Sequence, residues 1–197
     1  MDKPPSPAMT LKAGLVLLLW FAAACVLGFS GKVAFLRPPL PQVVLSGLVA
    51  ALLLANGLLP GLREWLRAIP LSWLVAVHLT RFAGFYFLWL HEHKELPYAF
   101  AVPGGVGDVI VASLAASLMT LRPASRWAYA AWNTLGLIDI LFVVITAARL
   151  ALANPESMAA LLRLPLCLLP TFIVPLIIFS HIVIFERLGG EHAGGAY

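Results

Sequence analysis

Six apolar stretches, each about as long as a membrane-spanning helix, make up most of this 197-residue chain. They cover residues 11–30, 40–59, 71–90, 106–121, 127–148 and 164–185. A helix needs about 20 predominantly apolar residues to cross the hydrocarbon core of a bilayer. The stretches therefore predict an all-α fold, a polytopic six-helix transmembrane bundle whose fourth helix is the shortest.

The composition points to the same class of protein. Hydrophobic residues make up 61% of the chain and charged residues 11%, with a mean hydropathy of +0.95. A soluble domain of this length could not bury so much apolar surface, so the lipid bilayer is the first predicted partner. We predict one transmembrane domain over residues 11–188, between mobile tails at 1–10 and 189–197 that are too poor in apolar surface to fold alone.

The basic residues of the loops predict the orientation. With the N-terminus inside, seven cations are cytoplasmic and five lie on the opposite side. The seven are Lys3, Lys12, Arg63, Arg67, Arg122, Arg126 and Arg187, and the five are Lys32, Arg37, Lys94, Arg149 and Arg163. This bias predicts that both termini lie in the cytoplasm. The net charge of +4 is spread over the loops, so the sequence gives no reason to expect a nucleic-acid partner.

Two charged residues lie deep inside predicted helices. A charge at the centre of a bilayer costs about 3 kcal/mol on insertion scales, so it is expected to face a protein interior. At a rise of about 1.5 Å per residue, Arg81 lies about 15 Å into the third helix and Asp139 about 18 Å into the fifth. We therefore predict an Arg81–Asp139 ion pair. Such a pair can also serve only to fix helix orientation.

Three further polar residues are predicted to share a layer nearer the inner side. His78, Asn133 and His181 lie at similar depths on the third, fifth and sixth helices. Hydrogen bonds from neutral histidines to Asn133 or to backbone carbonyls would account for them. Two imidazoles at one depth could also be the axial ligands of a b-type haem, or two ligands of a zinc site. The sequence favours no cofactor.

The spacing of these polar residues places them on single helix faces. At 100° per residue the third helix presents one stripe and the fifth helix another. The two stripes are His78, Arg81, Phe85 and Leu88, and Trp132, Asn133, Gly136 and Asp139. Outside the membrane, His91 and His93 form a His-x-His pair that could bind a metal, although a solvated loop explains it equally and no metal site is predicted.

A glycine-rich string opens the predicted fourth helix after Pro103. Its residues Gly105-Val106-Gly107-Asp108 resemble the Gly-x-Gly-Asp motif of intramembrane aspartyl proteases. The resemblance implies a catalytic dyad of Asp108 and Asp139, although the second aspartate follows the motif here and precedes it in that family. An aspartate at a helix start is also explained by the helix dipole.

A broader resemblance, over about residues 81–181, is to small bacterial six-helix integral membrane proteins of unknown function. It implies the fold and no activity. The residues that carry it are Arg81, Gly84, Leu96, Pro97, Phe100, Ala101, Gly105, Gly107, Asp108, Trp132, Asn133, Gly136, Asp139, Leu169, Pro170, Pro175 and His181.

The main hypothesis is a protein of the bacterial inner membrane whose last four helices enclose a polar site for a small ligand or protons. Such a protein could be a transporter and could assemble as a homo-oligomer. Its predicted residues are Arg81, Asp139, Asn133, His181, His78 and Asp108, with Asp108 as an outer gate. Two alternatives are an intramembrane hydrolase, using the Asp108–Asp139 dyad or a metal held by the histidines, and a b-type haem redox protein.

Overall fold

The structure is a computed structural model that describes residues 5–120 and 125–190. Within these ranges it contains eight α-helices and no β-strand, which confirms the all-α prediction. The helices are α1 (Pro7–Phe29), α2 (Leu40–Leu58), α3 (Pro60–Ala68), α4 (Leu71–Ala76), α5 (Gly84–Glu92), α6 (Tyr98–Thr120), α7 (Arg126–Ala153) and α8 (Val174–Gly190).

Six helical segments of the described chain are long and apolar enough to cross a bilayer, as expected of a multi-pass membrane protein. They are Pro7–Phe29, Leu40–Leu58, Leu71–Glu92, Tyr98–Thr120, Arg126–Ala153 and Leu169–Gly190. The first begins inside the predicted N-terminal tail, and the last extends to Gly190, inside the predicted C-terminal tail. The rest of both tails, residues 1–4 and 191–197, lies outside the described residues, as does Arg122 of the predicted cytoplasmic set.

The chain forms two compact units. The first consists of Met1–Pro70 and Leu161–Phe179. Within it, the Trp20 indole of α1 donates a hydrogen bond of 2.9 Å to the Thr171 carbonyl, in the π-helical turn Leu169–Ile173. The short helix α3 was not predicted. Its Trp65 indole donates to the Thr10 hydroxyl at 2.9 Å, which fastens α3 to α1.

The second unit, Leu71–Ala160 with Ser180–Tyr197, contains every predicted site residue. Its third span is not a uniform helix, because a 3₁₀ segment, Val77–Ala83, joins α4 to α5. A 3₁₀ helix has three residues per turn, so side chains three apart lie in line. Buried residues accordingly recur at every third position of this span: Val75, His78, Arg81, Gly84, Phe87 and Leu90.

This period corrects the stripe predicted for the third helix. His78 and Arg81 are on the buried face as predicted, but Phe85 is 57% exposed. The prediction assumed 100° per residue throughout, whereas the 3₁₀ segment turns by about 120°. The extra rotation brings Gly84 and Phe87 to the buried face in place of Phe85.

Helix α6 packs very closely against α5. A Cβ on Gly105 would lie 2.7 Å from the Gly84 carbonyl oxygen, and a Cβ on Gly84 would lie 2.9 Å from the Cβ of Asp108. Contacts below 3.0 Å between such atoms do not occur in folded proteins. The two glycines therefore allow a direct backbone approach, as small residues do between membrane helices. This approach brings the side chain of Asp108 close to the third span.

Candidate functional site

Arg81 is the centre of a buried charged cluster. Its Nε donates to Oδ1 of Asp108 at 2.6 Å, its Nη1 donates to the Gly136 carbonyl oxygen at 2.9 Å, and its Nη2 donates to Oδ2 of Asp139. The arginine is 2% exposed. Three of its five N–H groups thus bind oxygen atoms from two other helices, α6 and α7. The structure brings together the Arg81–Asp139 pair predicted from helical rise.

Asp108 lies elsewhere than predicted. It was placed near the outer surface as a gate, at the start of a helix beginning after Pro103. Helix α6 begins instead at Tyr98 and contains Pro103. Asp108 is therefore about 15 Å along the helix at a rise of 1.5 Å per residue. It is 5% exposed and level with Arg81, so the outer gate and the helix-dipole explanation are both wrong.

Asp139 is the most accessible member of the cluster, with 15% of its side chain exposed. Its carboxylate lies against Gly107 of α6, and a Cβ at that position would overlap Oδ1. Gly107 therefore makes room for Asp139, just as Gly84 makes room for Asp108. The Gly-x-Gly-Asp string supplies one carboxylate of the cluster and the space for the other.

A second cluster lies beside the first and contains no formal charge. Asn133 donates from Nδ2 to the His181 carbonyl oxygen at 2.9 Å, and its Oδ1 lies 2.7 Å from Nδ1 of His181. Because Nδ2 of Asn133 donates to the His181 carbonyl oxygen, the Asn133 atom beside the ring is Oδ1. An amide oxygen can only accept, so the ring nitrogen donates to it. This assigns the hydrogen of His181 to Nδ1 and leaves Nε2 as a bare acceptor.

His78 completes the second cluster. Its Nε2 lies 3.0 Å from the Ser180 hydroxyl, and its ring centroid lies 4.2 Å from that of His181 and 4.9 Å from that of Trp132. His78, Asn133 and His181 are completely buried. The layer predicted from helical depth is therefore present.

Residues 38–189 match the protein family described as Domain of unknown function (DUF8737). The chain belongs to this family. The match confirms the predicted resemblance to an uncharacterised family, and its range contains both clusters of the DUF8737 domain. No curated protein and no solved structure is significantly similar to the chain.

The geometry of the DUF8737 domain does not favour the haem alternative. The rings of His78 and His181 are in direct contact, with centroids 4.2 Å apart, so a porphyrin and its iron cannot lie between them. Among residues 5–120 and 125–190, no three His, Cys, Asp or Glu side chains are grouped as metal ligands would be. Zinc in a structural site takes four ligands.

The hydrolase alternative is also disfavoured by the arrangement of the carboxylates. In an aspartyl dyad two carboxylates share one proton. Here the Arg81 guanidinium binds both Asp108 and Asp139. The likeness to intramembrane aspartyl proteases at Gly105-Val106-Gly107-Asp108 stays a prediction from sequence.

The His-x-His pair has separate local roles. His91 Nδ1 lies 3.1 Å from the Leu96 carbonyl oxygen and His93 Nδ1 lies 2.8 Å from that of Trp89. The His93 ring also packs on the Trp89 ring, with centroids 4.0 Å apart. These contacts hold both histidines against the C-terminal end of α5 and the loop that follows it.

Sequence reasoning missed three contributors to the site. They are the hydroxyl of Ser180, the carbonyl of Gly136 and the space provided by Gly107. Ser180 could have been found as the polar neighbour of His181 within an apolar run. The other two contributions belong to the backbone and have no side-chain signal.

Proposed function

We propose that this DUF8737 protein binds a proton at the cluster of Arg81, Asp108 and Asp139 and carries protons across the bacterial inner membrane. The observation that carries the proposal is the charge of the cluster. One guanidinium and two ionised carboxylates sum to −1 at membrane depth, and an unbalanced buried charge is costly. One added proton brings the cluster to neutrality.

A proton suits this cluster better than a metal cation does. Hard cations such as Ca²⁺ and Mg²⁺ take about six or more oxygen ligands. Two carboxylate oxygens of the cluster and the Gly136 carbonyl already accept hydrogen bonds from Arg81. A proton requires a single oxygen and leaves those bonds in place. Asp139, the more accessible carboxylate, is where the proton enters or leaves.

Infrared spectroscopy of the purified full-length protein in lipid nanodiscs tests the proton directly. We expect a protonated-carboxyl C=O band near neutral pH, because one of the two buried carboxylates carries the proton that makes the cluster neutral. Asp108→Asn and Asp139→Asn should each abolish the band, since either change leaves one guanidinium with one carboxylate. Glu64→Gln, which removes an exposed carboxylate of α3, is the matched control and should leave it unchanged.

Proton movement is measured in liposomes that contain a pH-sensitive dye and a potassium diffusion potential. The luminal pH should change at the same rate in liposomes with wild type and with Glu64→Gln. It should change more slowly with Asp108→Asn or Asp139→Asn. A wild-type protein that lacks either the carboxyl band or proton flux would contradict the proposal.

A further inference from the structure

The two clusters are joined along two helices. His78 and Arg81 are three residues apart on the 3₁₀ segment, so their side chains lie in line. Asn133 and Gly136 are one turn apart on α7. Asn133 binds His181, and the Gly136 carbonyl binds Arg81. A Cβ on Gly136 would lie 2.7 Å from Cε1 and 3.1 Å from Nε2 of His181. The imidazole therefore packs against Gly136, whose carbonyl oxygen accepts the hydrogen bond from Arg81.

Each histidine has one buried nitrogen without a hydrogen-bond partner among the described residues. These atoms are Nδ1 of His78 and Nε2 of His181. Buried polar atoms are nearly always hydrogen bonded, so an unpartnered one calls for a specific explanation such as a bound water or a catalytic role. The Asn133 contact holds Nδ1–H of His181 in place and keeps Nε2 bare, beside the charged cluster.

We propose that His181 is the proton donor and acceptor of the Arg81 cluster, acting through Nε2, and that His78 is the next site on the path. This inference rests on the proposed function. A proton from the His78 side bonds to the Nε2 lone pair and gives an imidazolium with hydrogens on both nitrogens. It then leaves Nε2 for a carboxylate oxygen of Asp108 or Asp139, directly or by way of water, and the neutral ring is restored.

The charges near His181 support this path. The groups that act on its ring are the Arg81 cation and the Gly136 backbone, and the ring in turn acts on His78. Arg81 also binds the two carboxylates, Asp108 and Asp139. Cluster and imidazolium together sum to zero, as do the protonated cluster and the neutral imidazole. The proton can therefore move between them while the total charge of cluster and imidazole stays at zero.

The variant His181→Asn separates this role from a structural one. An asparagine amide nitrogen occupies about the position of Nδ1 and can still donate to Asn133, but the side chain lacks Nε2. We expect the variant to keep the carboxyl band, because the cluster is untouched, and to slow proton flux about 100-fold, a usual contribution of a positioned acid–base group. His93→Asn is the matched control at the end of α5 and should have wild-type flux.

A second variant keeps the test decisive if the first does not fold. His181→Gln retains a polar atom near the Nε2 position that cannot accept and release a proton, and it should be slowed to the same degree. Wild-type flux in a folded His181→Asn or His181→Gln protein would overturn the relay and leave the proposed function intact. Absence of the carboxyl band in wild type would overturn the proposed function itself.

Discussion

At the scale of single residues, the cluster is asymmetric: one cation serves two anions. Removing Arg81 strands two carboxylates in a buried position, whereas removing one carboxylate leaves a neutral pair. In an isolated Arg81–Asp139 pair, as expected from the sequence, replacing either residue would lower the stability of the protein. The presence of Asp108 in the structure changes that expectation.

We therefore predict that Arg81→Gln lowers stability by about 3 to 5 kcal/mol, the usual cost of breaking a buried pair from one side. Asp139→Asn should cost much less, because an amide resembles the protonated carboxyl and still accepts from Nη2. The double variant Arg81→Gln with Asp139→Asn should recover part of the loss. Thermal unfolding in detergent measures all three, and equal losses in the two single variants would contradict this account.

A second residue-scale prediction concerns Gly107. Gly107→Ala places a methyl group where Oδ1 of Asp139 lies, so the carboxylate must move away from Arg81. We expect proton flux to fall and stability to drop by about 1 to 3 kcal/mol, as for other overpacked positions. Gly57→Ala in α2, where a Cβ meets nothing within 4 Å, is the control. If Gly107→Ala has the proton flux and the unfolding temperature of wild type, Asp139 can bind Arg81 from another position and the prediction is wrong.

At the scale of elements, the contact between α5 and α6 depends on two glycines. In Gly84→Ala the new methyl group would meet the Gly105 backbone and Asp108, and neither can withdraw without displacing a helix. We predict a lower unfolding temperature and a weaker carboxyl band. Gly47→Ala in α2 has free space around its Cβ and should be neutral or slightly stabilising, because alanine favours a helix over glycine by about 0.5 to 1 kcal/mol. Equal behaviour of the two variants would contradict the close approach.

The element scale also shows where prediction from sequence succeeded and where it failed. Arg81 and Asp139 could be paired from helical rise alone, because both lie far from helix ends. Asp108 was misplaced because Pro103 was taken as a helix boundary, whereas Pro103 lies inside α6, and neighbouring helices allow proline within membrane helices. The 3₁₀ segment could not be anticipated, since its rotation differs from that of an α-helix by only about 20° per residue and no residue of Val77–Ala83 marks the change.

At the scale of the whole molecule, hydrophobic length was sufficient to predict six spanning helices, because a bilayer imposes one length on every span. Orientation depends on the seven-to-five distribution of basic residues, and it is tested separately. Reporter fusions at Pro4 and Ala193 should both report a cytoplasmic location. A periplasmic signal from the Ala193 fusion alone would mean that an odd number of helices crosses the membrane.

The central position of the cluster has an electrical consequence. Arg81 lies about 17 Å into its span, at a rise of about 1.5 Å per residue in α4 and about 2.0 Å in the 3₁₀ segment, near the middle of a hydrocarbon core of about 30 Å. A charge that crosses the whole membrane changes in energy by about 2.3 kcal/mol per 100 mV. A proton that travels half the distance changes by about 1.2 kcal/mol at about 100 mV. This energy changes the proton occupancy of the cluster about sevenfold. One pH unit corresponds to about 1.4 kcal/mol. A membrane potential of ordinary size should therefore load or empty this site almost as effectively as a tenfold change in proton concentration.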